Sequence, residues 1–127
     1  MSASSRQLIG LAIEREPRLT YFGIGVYAEN RKRATDVDRE FKFLRAQLLS
    51  PAGLAEVALC EQWLSEGQDL DDRGSYGLKH DVENWADAYI SNGALIAAVL
   101  GLGYEYAVSG PNVVLSAGTT ARPCSEV

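Results

Sequence analysis

The sequence predicts an α+β domain in which a small antiparallel sheet of about three strands packs against four or five helices. Three observations lead to this class. Several segments place apolar residues at helical spacing, and two short predicted strands, YEYAV and VVLSA, flank the turn-forming residues SGPN. The stretch near residues 94–102 is apolar on every side. A helix of this kind is buried, so we expect it to be the centre of the core.

The first part of the chain contains one ambiguous element and one clearer element. Residues 5–16 fit either a short helix closed by Pro17 or a buried strand, because periodicity cannot decide a run this short. The segment Arg18–Ala28 is rich in aromatic and β-branched residues and is predicted to be a strand of the sheet. Gly23 and Gly25 share one face of it, where another backbone can approach closely.

Two helices joined by almost no loop follow. Thr35 is the predicted N-cap of the first, since Asp36 in the first turn suits the positive end of the helix dipole. Ser50 and Pro51 are predicted to be the N-cap and the first helical residue of the second, and Gly67 its stop. The apolar positions of the two helices are Val37, Phe41, Leu44 and Leu48, then Leu54, Val57, Ala58 and Leu64.

The next helix is predicted to run from Ser75, its N-cap, to about Ile90. Its apolar stripe comprises Leu78, Val82, Trp85, Ala86 and Tyr89. A break at residues 91–93 separates it from the buried apolar helix. Two strands are then expected, Tyr104–Val108 and Val113–Ala117, which complete the sheet.

The length of 127 residues suits one domain with a single core. We expect this domain to span residues 1–117 and residues 118–127 to form a mobile tail, since the tail lacks apolar periodicity. Cys60 and Cys124 form no disulfide framework and suit a reducing cytoplasm. The chain offers no signal-peptide pattern and no stretch of about 20 apolar residues. A cytoplasmic protein without membrane contact is expected.

The charge balance restricts the class of partner. Lysine and arginine number 12 against 17 aspartates and glutamates, which gives a formal net charge of −5. Such a surface repels nucleic-acid phosphates, and the one basic run, Arg31 to Arg33, is short, so no nucleic-acid binding is expected. The acidic surface is better suited to a protein partner that presents a basic surface. The two tryptophans and six tyrosines also favour a homodimer, unless they fill the core.

The candidate binding residues lie on the predicted helix that begins at Ser75, opposite its apolar stripe. Tyr76, His80, Glu83 and Asp87 are four, three and four positions apart and therefore share one face, with Lys79 beside them. We call these five residues the polar stripe. Their spacing predicts a contact surface for a protein partner, and a solvated helix face without a partner is the alternative interpretation.

Catalytic and metal-binding patterns are incomplete. Tyr76, His80 and Glu83 could supply acid–base groups, but Ser75 and Lys79 are four apart where serine–lysine enzymes use S-x-x-K. Nucleophile-elbow and phosphate-loop motifs are absent from the sequence. One histidine falls short of the three ligands usual for a catalytic metal, and the acidic loop at 66–74 lacks the calcium-loop register. We therefore expect no cofactor and no metal, and no catalytic residue is assigned.

The sequences SYGLKH, YISNGALIAA and GPNVVLSA, within residues 75–117, resemble small uncharacterised proteins encoded on bacterial phages, plasmids and integrated elements. The resemblance implies a bacterial, mobile-element origin and carries no activity. Proteins of that origin often bind host proteins, sometimes to block defence systems. The expected function is therefore a non-catalytic protein-binding module. The alternatives are an anti-CRISPR-like inhibitor of a defence nuclease, with carboxylates in a basic groove, and a small enzyme using Tyr76, His80 and Glu83.

Overall fold

The computed structural model describes residues 4–26, 33–70 and 72–116. These ranges contain five helices and a two-stranded antiparallel sheet, which confirms the α+β class. No helix within them is long and apolar enough to cross a membrane. The predicted tail at 118–127 lies outside the described residues. In chain order the elements are α1 (Ser5–Arg15), α2 (Ala34–Leu48), α3 (Pro51–Leu64), α4 (Ser75–Ala86), α5 (Asn92–Gly101), β1 (Tyr106–Ser109) and β2 (Asn112–Leu115).

Helix α5 is the centre of the core, as its apolar sequence predicted. All ten of its residues are buried, and it packs against α1, α3, α4 and β2. Leu95, Ile96 and Leu100 are among the largest fully buried side chains in the protein. Because full burial of one such side chain contributes about 1.5–3 kcal/mol, α5 supplies a large share of the hydrophobic stabilisation.

The ambiguous segment at residues 5–16 is helical. Its start is fixed by a capping box, in which the Gln7 N–H donates to Ser4 Oγ at 3.1 Å and the Ser4 N–H donates to Gln7 Oε1 at 2.8 Å. At the other end of α1, the Arg15 guanidinium donates to the carbonyl oxygens of Leu100 and Tyr104 at 2.9 and 2.8 Å. These bonds join the end of α1 to the end of α5 and to the segment that follows it.

The corner between α2 and α3 forms as predicted. The Gly53 N–H donates to Ser50 Oγ at 3.3 Å, and Pro51 is the first residue of α3. The predicted N-cap of α2 is wrong by two positions, because Thr35 lies in the first turn and Arg33 occupies the N-cap without a side-chain hydrogen bond. Trp63 and Cys60 lie in the core.

The segment predicted as the strand Arg18–Ala28 does not join the sheet over its described residues. The chain turns back on itself there, and Thr20 Oγ1 donates to the Gly25 carbonyl at 2.8 Å. Gly23 and Gly25 have φ values of 141° and 94°. Such positive φ values are open to glycine and strained for other residues. Among the residues that the structure describes, the sheet therefore has two strands where about three were predicted. We call residues 18–26 the glycine turn.

The predicted C-terminal hairpin forms with slightly shifted strand ends. Gly110 and Pro111 connect its strands, and Val114 of β2 also bridges to Gly74, just before α4. The Ile24 N–H donates to the Pro111 carbonyl at 2.8 Å. This bond holds the glycine turn against the tip of the hairpin, so two distant loops meet beside the start of α5.

Replacing Gly101 with alanine is expected to destabilise the protein. A Cβ atom there would lie 2.5 Å from the Leu8 carbonyl oxygen, so α1 and α5 would have to separate, at a cost of about 1–3 kcal/mol. Gly10→Ala is the matched control in α1, because open space surrounds that position. It should stabilise the helix by about 0.5–1 kcal/mol. Urea unfolding measures both variants, and equal effects would contradict the close packing of α1 on α5.

Candidate functional site

Helix α4, which carries the polar stripe, ends earlier than predicted. Asp87 adopts a left-handed conformation with φ 53° and ψ 47°, and its N–H donates to the Glu83 carbonyl. Asp87 is therefore the C-cap of α4, whereas the prediction placed it within the helix. At the start, Gly74 is the N-cap and Ser75 lies inside the helix, where its hydroxyl accepts the Val113 N–H at 3.1 Å. The Ser75 N-cap prediction is wrong, and that side chain ties α4 to β2 instead.

Two members of the predicted apolar stripe are exposed. Leu78 and Val82 are fully buried, whereas Trp85 is 42% and Tyr89 63% exposed. The early end of α4 explains the exposure of Tyr89, because this residue lies in the loop between α4 and α5. Lys79, by contrast, belongs to the predicted polar stripe and is nevertheless buried, since only 7% of its surface is exposed.

The Lys79 ammonium lies between two tyrosine rings and a carboxylate. Nζ is 5.3 Å from the ring centroid of Tyr76, 5.1 Å from that of Tyr89 and 3.4 Å from Glu83 Oε2. An ammonium placed over an aromatic ring gains about 0.5–2 kcal/mol. These contacts offset the loss of hydration that burial of the charge entails.

Glu83 connects the stripe to the chain that leads into α5. Its Oε2 accepts the Ile90 N–H at 3.1 Å, and its Oε1 lies 2.8 Å from His80 Nδ1. Burial opposes ionisation, but the Ile90 hydrogen bond, the Lys79 ammonium and the His80 hydrogen bond outweigh it. Together they hold the pKa of Glu83 below its ordinary value.

The structure thus brings four members of the polar stripe into one contact group. The Tyr76 and His80 rings meet edge to face, with centroids 4.7 Å apart and planes at 87°. His80 and Lys79 both reach Glu83. The His80 side chain is half exposed. Asp87 is separated from this group by its position at the helix end.

A cleft of about 870 Å³ opens beside the Lys79 side chain. It lies among α2, α4, the glycine turn, the first residue of α5 and the hairpin tip, and its volume is within the range of ligand-binding sites, about 300–1,000 Å³. Lys79 is the only charged side chain among the described residues that line it. We call it the aromatic cleft, after the five aromatic residues that line it, Tyr21, Phe22, Phe43, Tyr76 and Tyr89.

Sequence reasoning found two of the cleft residues, Tyr76 and Lys79, and missed the others. A signal for Phe43 was present, since it is an aromatic residue outside the helical apolar spacing of α2 and is 66% exposed. Tyr89 had been placed on a buried face. His80 belongs to the polar stripe but is not among the residues that line the cleft.

The Tyr21 wall of the cleft is fixed by a buried carboxylate. The Tyr21 hydroxyl donates to Glu56 Oε2 at 2.6 Å, and Glu56 Oε1 accepts the Ser91 N–H at 2.9 Å. Burial, together with Glu56, raises the pKa of the Tyr21 hydroxyl. The same two causes raise the pKa of the Cys60 thiol. Both groups therefore stay protonated at neutral pH, and Tyr21 keeps its hydrogen bond.

Asn92, the first residue of α5, lies at the meeting point of the loops. Its Nδ2 is 2.8 Å from Asn112 Oδ1 and 3.4 Å from the carbonyl oxygens of Phe22 and Pro111. Its Oδ1 is buried and has no hydrogen-bond partner within the described part of the chain. The residue lines the aromatic cleft and is only 8% exposed.

No protein-family model matches the chain, and neither a curated protein nor a solved structure does. Across residues 4–26, 33–70 and 72–116, no group of three or more histidine, cysteine, aspartate or glutamate side chains is placed to hold a metal ion. Evidence for function therefore comes from the aromatic cleft and the polar stripe.

Replacing Glu83 with glutamine is expected to reduce the acid sensitivity of the fold. A carboxyl group whose folded pKa is lowered stabilises the protein above its ordinary pKa of 4.5 and loses this contribution as pH falls through the folded pKa. The parent should therefore exceed Glu83→Gln in unfolding free energy at about pH 6, and the difference should shrink towards about pH 3. Urea unfolding across this range measures it. A difference independent of pH would show that the charge of Glu83 does not stabilise the fold.

Proposed function

We propose that this protein is a non-catalytic binding module for a protein partner and that the aromatic cleft is its contact surface. The observation that carries the proposal is the exposure of the rings at the cleft. Phe43, Tyr76 and Tyr89 are 66%, 56% and 63% exposed, come from three different segments, and line the same cleft. Clustered exposed apolar groups are typical of interaction sites. Aromatic side chains also carry much of the binding energy at protein interfaces.

A protein partner suits the cleft because more than half of the surface of each of the three most exposed cleft residues is in contact with water. A ligand enclosed by the cleft would leave the outer parts of these rings hydrated, whereas a protein surface can cover the rim and fill the floor together. The formal charge of −5 favours a partner that is basic around its contact region. Inside the cleft, Lys79 is the only charged side chain among the described lining residues. Its positive charge disfavours the entry of a cationic group.

The small-enzyme alternative built on Tyr76, His80 and Glu83 has weaker support. A catalytic imidazole works next to the substrate site, and His80 is not among the residues that line the cleft. Its Nδ1 lies 2.8 Å from Oε1 of Glu83, and the other oxygen of that carboxylate, Oε2, lies 3.4 Å from Lys79 Nζ. The contacts of this group are explained by the support it gives to one wall of the cleft.

A bacterial mobile-element origin is part of the same proposal and rests on the sequence resemblance. The narrower role of defence-nuclease inhibitor is supported by the acidic charge, which suits a basic groove. A homodimer stays a prediction from the aromatic content, to be measured by sedimentation.

Removing two rim rings, in Phe43→Ala/Tyr89→Ala, is expected to weaken partner binding at least about tenfold, since truncation of an interface aromatic often costs more than about 1–2 kcal/mol. Stability should change little, because both side chains are exposed. The partner is isolated by affinity capture on the full chain from a bacterial lysate, purified, and titrated against each variant by calorimetry.

Two matched controls locate the contact. Val108→Ala removes a 47% exposed apolar side chain on β1, outside the cleft lining, and should bind like the parent. Trp85→Ala removes a 42% exposed ring on α4 that is not among the residues lining the cleft, and it should also retain binding. Loss of affinity in Trp85→Ala alone would place the contact on α4 outside the cleft. Undiminished affinity in the double variant would contradict the cleft as the contact surface.

A further inference from the structure

The outer edge of β1 carries backbone groups that face away from the sheet. In an antiparallel pair of strands, the N–H and C=O groups of successive residues point alternately toward the neighbouring strand and away from it. The Ser116 N–H donates to the Glu105 carbonyl at 3.1 Å, so the groups of Glu105 point toward the β2 side. One and three positions later in the register, Tyr106 and Val108 therefore direct their N–H and C=O groups outward.

The hydrogen bonds of β2 follow the same alternation. The residues opposite Val108 and Tyr106 are Val113 and Leu115, whose backbone groups point to the far side of β2. There the Val113 N–H donates to Ser75 Oγ at 3.1 Å, and the Leu115 N–H donates to the carbonyl just before Gly74 at 2.9 Å. The chain that leads into α4 thus pairs the outer edge of β2. Within the described residues, no segment does the same for β1.

The β1 edge is open to water and lacks the usual protection. Ala107, Val108 and Ser109 are exposed, Val108 to 47%. In the described part of the chain, β2 is the one helix or strand with which β1 has extensive contact. Natural edge strands are often protected by lysine, proline or a bulge, and the strand sequence YAVS contains neither lysine nor proline. The group that fits alternating outward donors and acceptors is another extended strand.

The pattern of outward groups is self-complementary. When two copies of β1 lie antiparallel about a twofold axis at Ala107, Tyr106 of each copy lies opposite Val108 of the other. Each of these two pairs exchanges two hydrogen bonds. The paired side chains are aromatic and β-branched, a favourable combination across strands. The small side chain of Ala107 lies opposite its own equivalent at the axis.

The charges along the edge permit this pairing. The strand β1 contains no charged residue, and in the twofold register Glu105 faces Ser109 of the second copy rather than Glu105 of that copy. Repulsion between the copies then comes from their distributed net charge of −5 each, which salt screens. An uncharged edge has no feature that selects the basic partner favoured above. The second copy is therefore the occupant that the described residues favour.

We propose that two copies of this chain associate through their β1 edges and form a continuous four-stranded antiparallel sheet. The inference goes beyond the proposed function, because no residue of β1 is among the described residues that line the aromatic cleft. The pairing involves only a short strand from each copy. Small interfaces of this kind are typical of weak, reversible association.

The first test uses the unmodified chain. Sedimentation equilibrium from micromolar to millimolar concentration should show a reversible monomer–dimer equilibrium, and added salt should strengthen the dimer. Hydrogen exchange followed by ¹⁵N NMR should show that the amides of Tyr106 and Val108 gain protection as the dimer fraction rises. The Ala107 amide points toward β2 and should be protected at every concentration.

Two results on the unmodified chain would overturn the inference. One is a monomer throughout this concentration range. The other is protection of the Tyr106 and Val108 amides that does not change with concentration, because it would show that the edge is covered within a single chain.

A proline substitution tests the edge directly. Val108→Pro removes an outward N–H from each copy and should weaken dimerisation at least about tenfold, because two hydrogen bonds of the interface are lost. Proline is tolerated on an edge strand where the N–H faces solvent, and the melting temperature checks the fold. Val108→Ala is the matched control, since it keeps the N–H and should retain the dimer. If Val108→Pro does not fold, the exchange data on the unmodified chain decide the matter.

A further variant separates this interface from the aromatic cleft. Phe43→Ala/Tyr89→Ala should dimerise like the unmodified chain. A dimer that survives Val108→Pro would contradict the inference, and its loss in Phe43→Ala/Tyr89→Ala would place the dimer contact at the cleft. Val108→Pro should bind the captured partner with unchanged affinity, so the inference and the proposed function fail separately.

Discussion

The complete burial of α5 is the constraint on which the rest of the structure depends. A helix with no exposed residue has no water at its start, so the protein itself must supply acceptors for its first N–H groups. The Ala94 N–H donates to Ser91 Oγ at 3.0 Å, and the Gly93 N–H donates to the Tyr21 carbonyl at 3.1 Å. Glu56 accepts the Ser91 N–H just before the helix. These bonds hold the glycine turn and α3 at the beginning of α5.

The floor of the aromatic cleft follows from this arrangement. The backbone of the glycine turn passes so close that a Cβ atom on Gly93 would lie 1.9 Å from the Thr20 carbonyl oxygen. A Cβ atom on Gly23 would similarly lie 2.3 Å from the Pro111 carbonyl oxygen. Three segments distant in sequence therefore meet at glycine contacts, which permit little relative movement. Asn92 comes first in α5 and so faces the point where they meet, on a rigid floor of the kind that selective recognition requires.

Local sequence signals predicted much of the fold and only part of the site. The Ser50–Pro51 corner, the hairpin turn and the apolar helix are each encoded in a few consecutive residues, and all three formed. The segment 18–28 misled the prediction because its aromatic content favours a strand, whereas its glycines adopt the positive φ values of a turn. The burial of Lys79 depends on Tyr89, which returns over it only because Asp87 ends the helix. Helical periodicity carries no information about such contacts.

The polar stripe and the aromatic cleft are connected by shared residues and contacts. Glu83 holds the Lys79 ammonium, and Lys79 in turn lies over the rings of Tyr76 and Tyr89 that form a wall of the cleft. The same carboxylate accepts the Ile90 N–H, two residues before the start of α5. A single ionised group thus fixes a cleft wall relative to the cleft floor. Apolar contacts have no preferred direction and would bury the same area without orienting the rings. Hydrogen bonds and an ammonium placed over the ring faces do set the positions of the rings. Of the residues in the polar stripe, Tyr76 and Lys79 therefore line the cleft, whereas His80 and Glu83 contact them from outside its lining.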